Sequence, residues 1–189
     1  MIRVSDYSYA DATQLLARLP KDLGVVYDLG AGKRDSPVSL QVAEIECDRL
    51  ISVEPFDPYI PFLLTTKVAA KYHDVVRAHL ENSNYRIREC SLAIMIDVIE
   101  HLEKKDALEL LHHLKEVAKS IIIFTVEGDT LGYSNNEMEN PLQEHKSIWT
   151  AEEFEEMGFE VTVYENFHNH LGNGHVGAIW AVWKSSENG

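Results

Sequence analysis

Short apolar runs alternate along the chain with stretches in which apolar residues recur every three or four positions. The runs Val25–Leu29, Leu50–Glu54, Val75–Ala78, Leu92–Asp97 and Ser120–Val126 are rich in Val, Ile and Leu, the pattern of strands covered on both faces. Two more, Glu160–Phe167 and Val176–Trp183, are joined through His168–His175 without a helical stretch, which predicts an antiparallel hairpin at a sheet edge. Helical spacing predicts helices over Tyr9–Leu19, Val38–Cys47, Pro58–Lys71, Lys105–Lys119 and Ala151–Met157. In the fourth, Ala107, Leu108, Leu111, Leu114 and Val117 form the apolar stripe, with Asp106 and Glu109 near its start and Lys115 and Lys119 near its end, as the helix dipole favours. Thr150 before Glu152 and Glu153 marks a helix entry, and Gly158 a stop.

This alternation predicts an α/β fold: one doubly wound, mainly parallel seven-stranded sheet with helices on both faces and an antiparallel C-terminal hairpin. A length of 189 residues with 45% hydrophobic content fits one domain around one core. Residues 1–24 read as an N-terminal helical segment and 185–189 as a frayed tail. The irregular stretch 127–149, with Gly128, Gly132, Asn135, Asn136 and Pro141, is longer than an ordinary connection and reads as a substrate lid.

Seventeen basic against 31 acidic side chains give a net charge of -14, which repels a phosphate backbone and disfavours a nucleic-acid partner. The densest basic stretch, Lys67, Lys71, Arg77, Arg86 and Arg88, reads as solvated helix and loop positions. No segment approaches the roughly 20 apolar residues that cross a bilayer, so no membrane partner and a cytoplasmic location are expected. Cys47 and Cys90 lack ligand spacing and read as reduced core or edge residues. Trp180 and Trp183, near an edge strand, are candidates for a homodimer contact.

The first predicted strand runs directly into Asp28-Leu29-Gly30-Ala31-Gly32, a carboxylate at the strand end followed by a glycine turn. Glycine admits close ligand approach and positive φ, and the carboxylate can accept from an ammonium group; an ordinary tight turn is the alternative. The second strand ends in Glu54, a position from which an acid commonly accepts from a ribose diol. Two acids at the carboxyl edge of neighbouring strands fit a ligand site where strand order reverses.

With Val-Val-Tyr-Asp-Leu-Gly-Ala-Gly (25–32), Ile-Ser-Val-Glu-Pro (51–55) and Ile-Asp-Val-Ile-Glu-His-Leu-Glu (96–103), the chain resembles the class I methyltransferases that use S-adenosylmethionine, from about Val25 to Phe159. The resemblance implies that Asp28, Gly30 and Gly32 line the methionine part of the cofactor, that Glu54 holds the ribose and that Asp97 lies beneath the sulfonium. It also implies a small-molecule methyl acceptor. The chain departs from the family pattern at Arg34, where a third glycine is usual, and at Val76–Glu81, where His79 and the Leu80 backbone take the place of an adenine-binding aspartate.

A hydroxyl acceptor needs a base. His145, in Gln143-Glu144-His145-Lys146-Ser147-Ile148-Trp149, has a suitable intrinsic pKa, with a surface histidine as the alternative; Asp97 is the second candidate catalytic residue. His101 either faces the same cleft or caps and packs a helix, and Trp149 either walls the substrate pocket or staples into the core. No metal site is expected: His168, His170 and His175 depend on a Gly172–Gly174 turn and have no carboxylate close in sequence. Two other functions compete. A nicotinamide-dependent oxidoreductase would carry a further glycine where Asp35 stands, and a non-catalytic binding or scaffold protein would keep the fold without turnover.

Overall fold

The computed structural model describes residues 1–33, 35–65, 72–82, 87–135, 137–168 and 176–186. Arg34, Lys67, Lys71, Arg86, Asn136, His170, the 172–174 turn, His175 and residues 187–189 of the tail lie outside the described residues.

The described strands are β1 (Ile2–Val4), β2 (Val25–Leu29), β3 (Arg49–Val53), β4 (Asp74–Val76), β5 (Leu92–Ile96), β6 (Ser120–Glu127), β7 (Glu160–Tyr164) and β8 (Gly177–Lys184). They form one sheet in the order β1-β7-β8-β6-β5-β2-β3-β4. Only β8 runs antiparallel, between β6 and β7. The helices are α1 (Tyr9–Ala12), α2 (Pro37–Leu40), α3 (Ile60–Thr65), α4 (Lys104–Val117) and α5 (Ala151–Glu156).

The α/β class and mainly parallel sheet match the sequence reading, but the sheet has eight strands, not seven. The added strand is β1, which pairs parallel to β7 and takes the edge where the hairpin was expected. Its three residues are too few to show a period, and a tertiary contact fixes them: the Arg3 guanidinium donates to both oxygens of Glu127 at 3.0 and 2.8 Å. The N-terminal segment is correspondingly less helical, with α1 and a separate single turn at Leu16–Arg18 in place of one helix over 9–19. The second predicted helix is likewise split into α2 and a tighter turn at Gln41–Glu44.

Alternation along the central strands divides the core in two. Tyr27, Leu29, Ala93, Met95, Ile121 and Ile123 face α4 and α5, while Val26, Leu92, Ile94, Ile96, Ile122 and Phe124 face the N-terminal segments and α2. The stripe α4 buries is Ala107, Leu110, Leu111 and Leu114, so Leu108 turns to solvent and Leu110 takes its place. α5 opens with a full capping box: Thr150 Oγ1 accepts from Glu153 N at 3.3 Å, and the Glu153 carboxylate accepts from Thr150 N at 2.9 Å. Trp149 belongs to the core, stacked on Phe154 at 5.1 Å with its indole N–H donating to Ser147 Oγ. Trp180 is also internal, donating to the Ala12 carbonyl at 2.7 Å, and so offers no surface for a dimer contact. Cys47 and Cys90 are both free thiols.

Phe124 lies on β6 against Trp180, ring centroids 4.6 Å apart, with its side chain fully buried. Phe124→Ala is expected to cost about 3–5 kcal/mol, seen as a lower urea midpoint at unchanged slope; a midpoint within experimental error of the parent would contradict this packing.

Candidate functional site

The chain leaves β2 toward β3 and β4 on one side and later returns to build β5 and β6 on the other. The turns after β2 and β5 therefore diverge and open a cleft at the carboxyl edge of the sheet. The cleft holds about 540 Å³ of space, counting its open mouth.

Its floor is the glycine turn. Gly30 takes φ +67°, and a Cβ there would meet Val98 Cγ2 at 2.6 Å, so only glycine fits between the turn and the start of the 98–102 segment. The buried Glu54 carboxylate accepts from Gly32 N at 2.7 Å and from Phe56 N at 2.8 Å, and Gly30 N donates to the Val53 carbonyl at 2.8 Å. Asp97 follows β5 in the left-handed region, φ +53°, a conformation aspartate tolerates better than most residues, and its N–H donates to the Phe124 carbonyl at 2.9 Å.

Of the residues singled out from the sequence, Gly30, Gly32, Glu54, His79, Leu80 and Asp97 line the cleft together. Leu80 is buried, and exposed His79 stands 3.9 Å from the Glu81 carboxylate. Asp28 does not line it. On β2 its side chain points to the α2 face, is fully buried and accepts from the Tyr72 hydroxyl. The loop after β6 supplies Asn140, Leu142 and Gln143, and it is tied to the glycine turn by Lys33, which pairs with Glu137 and, at 3.1 Å, with Asp35.

No protein-family model and no curated protein matches the chain. Among solved structures it is similar to the N-terminal domain of EvdMO1 with SAH bound, at 16% identity over 86% of this chain and 75% of that one, with a TM-score of 0.57. The DhpI–SAH complex is similar at 11% identity over 90% of this chain and 82% of that one, TM-score 0.61. The small RNA methyltransferase HEN1 is similar at 16% identity and TM-score 0.55, over 88% of this chain and 24% of that much longer one.

The fold is that of the class I methyltransferases. Within this methyltransferase fold the antiparallel β8 inserts between β6 and β7.

His101 lines the cleft and His145 stands directly behind it, buried, with ring centroids 4.8 Å apart. His145 Nδ1 is 2.7 Å from Thr130 Oγ1, and His101 Nδ1 is 3.2 Å from the Glu144 carbonyl. A carbonyl only accepts, so His101 carries its proton on Nδ1 and Nε2 holds the lone pair. Close to both is Glu100, quoted in the 96–103 motif but given no role by sequence reasoning. Its side chain is wholly buried, one oxygen accepts from Thr125 Oγ1 at 2.9 Å, and its backbone carbonyl accepts from Lys146 N and Ser147 N. Asn140 and Tyr59 also belong to the site and carried no sequence signal: the path of the loop after β6 brings in Asn140, and the turn that follows β3 brings in Tyr59.

Burial pushes the Glu100 carboxyl up to about 7, and burial aided by neighbouring His101 pushes the His145 imidazole down to about 4. Folded Glu100 holds its proton more tightly than unfolded, so its contribution to stability is present below 4.5 and lost as pH rises through about 7. His145 is the reverse: its contribution is present above 6.5 and lost as pH falls through about 4. The two oppose one another between 4.5 and 6.5. Glu100→Gln removes the Glu100 part of this pH dependence, so its stability relative to the parent is expected to rise as pH rises between those limits. Urea midpoints in chelator-treated buffer measure this; a parent-to-variant difference independent of pH would refute it.

Proposed function

We propose that the protein is an S-adenosylmethionine-dependent methyltransferase acting on an oxygen or nitrogen of a small-molecule acceptor. The observation that carries this reading is the charge of the cleft: Glu54, Glu81 and Asp97 line it, and no lysine or arginine does among the described residues. Such a wall attracts a cationic, phosphate-free cofactor and repels the diphosphate of a nicotinamide dinucleotide. It also disfavours a nucleic-acid acceptor, as does the net charge of -14. The SAH-bound solved structures of the same fold support the cofactor.

The residues fit the group. Gly30 and Gly32 give a turn whose backbone a ligand can approach, with no atom nearer than 4.0 Å to where a Gly32 Cβ would stand. Glu54 would hold the ribose, His79 and the Leu80 backbone the adenine, and Asp97 with the glycine turn the methionine part. Asp28 would act from beneath, holding the turn through its buried position at the end of β2. When bound, S-adenosylmethionine supplies a methyl group on a cationic sulfur, and the chain's task is to align an acceptor with it and receive the acceptor's proton. His101, with its lone pair on Nε2, meets the acceptor end of the cleft; His145 fixes that ring from behind instead of meeting substrate itself. Asn140 and Gln143 from the 127–149 loop offer amide groups that orient the acceptor.

Titrating the protein with S-adenosylmethionine and, separately, with NAD decides between the cofactors. The first is expected to raise stability by about 2.7 kcal/mol at a hundredfold excess over its dissociation constant, and the second to have no effect. Asp97→Asn keeps the left-handed backbone while removing the charge, and is expected to weaken S-adenosylmethionine about tenfold by calorimetry. Binding of neither compound would leave the scaffold reading.

A further inference from the structure

Glu100, His101 and His145 come from two distant parts of the sequence, yet one potential ligand atom of each lies within 4.8 Å of the other two. Each also has a partner that fixes its orientation while leaving an atom to spare. Thr130 Oγ1 holds His145 Nδ1, the Glu144 carbonyl holds His101 Nδ1, and Thr125 Oγ1 donates to a Glu100 oxygen. This is the arrangement found around ligating residues: imidazole rings engaged on one nitrogen by an outer hydrogen bond, leaving the other for an ion, and a carboxylate held by a hydroxyl; the ligating tautomer of His145 is the one in which Nδ1–H donates to Thr130 Oγ1.

We propose that Glu100, His101 and His145 form a site for one divalent first-row transition ion at the acceptor end of the cleft. Two imidazoles and one carboxylate suit such an ion and are too few oxygens for calcium. Bonds of about 2.1 Å place neighbouring ligands roughly 3–3.5 Å apart, so small rotations of the three side chains close the site. His101 belongs both to this trio and to the cleft wall, so coordination positions left open by the protein face the cleft and can take an acceptor oxygen. With the His101 lone pair on the ion, the ion would lower the pKa of a hydroxyl it binds, the hydroxyl's proton would pass to water at the open mouth of the cleft as the oxygen takes the methyl, and the ion would fix the oxygen's orientation, which assigns the acceptor to the hydroxyl class. Binding of the ion does not depend on the methyltransferase reading; its action on an acceptor does.

The test uses Co²⁺ as the probe. Protein freed of metal by a chelator is titrated with Co²⁺, followed by calorimetry and visible absorption. One saturable ion per chain with d–d bands is expected. His145→Ala and His101→Ala should each weaken it at least tenfold, and His112→Ala, an exposed histidine on α4 away from the trio, should leave it unchanged. Because His145 is buried, thermal unfolding checks that its variant is folded; His101, on the cleft wall, gives the independent second variant. No saturable Co²⁺ binding by the parent, or binding insensitive to both changes, overturns the site and leaves the His101 lone pair as a direct proton acceptor. S-adenosylmethionine is titrated into the same metal-free protein. Co²⁺ binding without cofactor binding keeps the ion site and removes the methyltransferase reading, and the reverse result removes the ion site alone.

Discussion

The cleft depends on one buried carboxylate. Glu54 accepts simultaneously from the backbone N–H groups of Gly32 and Phe56, clamping the turn after β2 to the turn after β3. A buried charge of this kind is tolerated only where hydrogen bonds replace its lost hydration, and two backbone donors supply them. The clamp sets the height of the glycine turn, and that height lets Gly30 pass against Val98 with no space for a side chain. His79 and Asn140 line the cleft together with this clamped turn.

How much of this was legible depended on whether the signal was local. The β2 and β5 runs read correctly because parallel strands buried on both faces must be apolar throughout, and the capping box at Thr150 is confined to four residues. Gly30, Gly32, Glu54 and Asp97 could be placed in one site because topology sends consecutive strand ends to one edge. Leu108 was misassigned to the buried stripe because Leu110 and Leu111 serve the same helical period, and only the sheet decides which face is covered. β1 was invisible because three residues carry no period and its partner β7 lies at the far end of the sequence.

The histidines show the same division. His145 was singled out for its chemistry and the motif around it, but its burial is a property of the loop's path, set by hydrogen bonds between Gly132 and His145 and between His145 and Tyr133. Asp28 was read as a cofactor ligand because it ends a strand, yet alternation on β2 sends its side chain to the far face, where Tyr72 meets it. Sequence placed these groups near the site; which side of the backbone each occupies came from packing.

β8 follows every other described strand in the chain, yet it lies between β6 and β7. Until it arrives, β6 offers an unpaired edge and neither β7 nor β1 has a route into the sheet, because β1 reaches the sheet only through β7. The side of the sheet made of β8, β7 and β1 is thus the last to be secured, and adding β1 requires a contact spanning nearly the whole polypeptide. Such long-range closure slows folding and leaves a sticky edge exposed meanwhile. The β2–β5 half, which carries the glycine turn, needs no such wait and can take shape first.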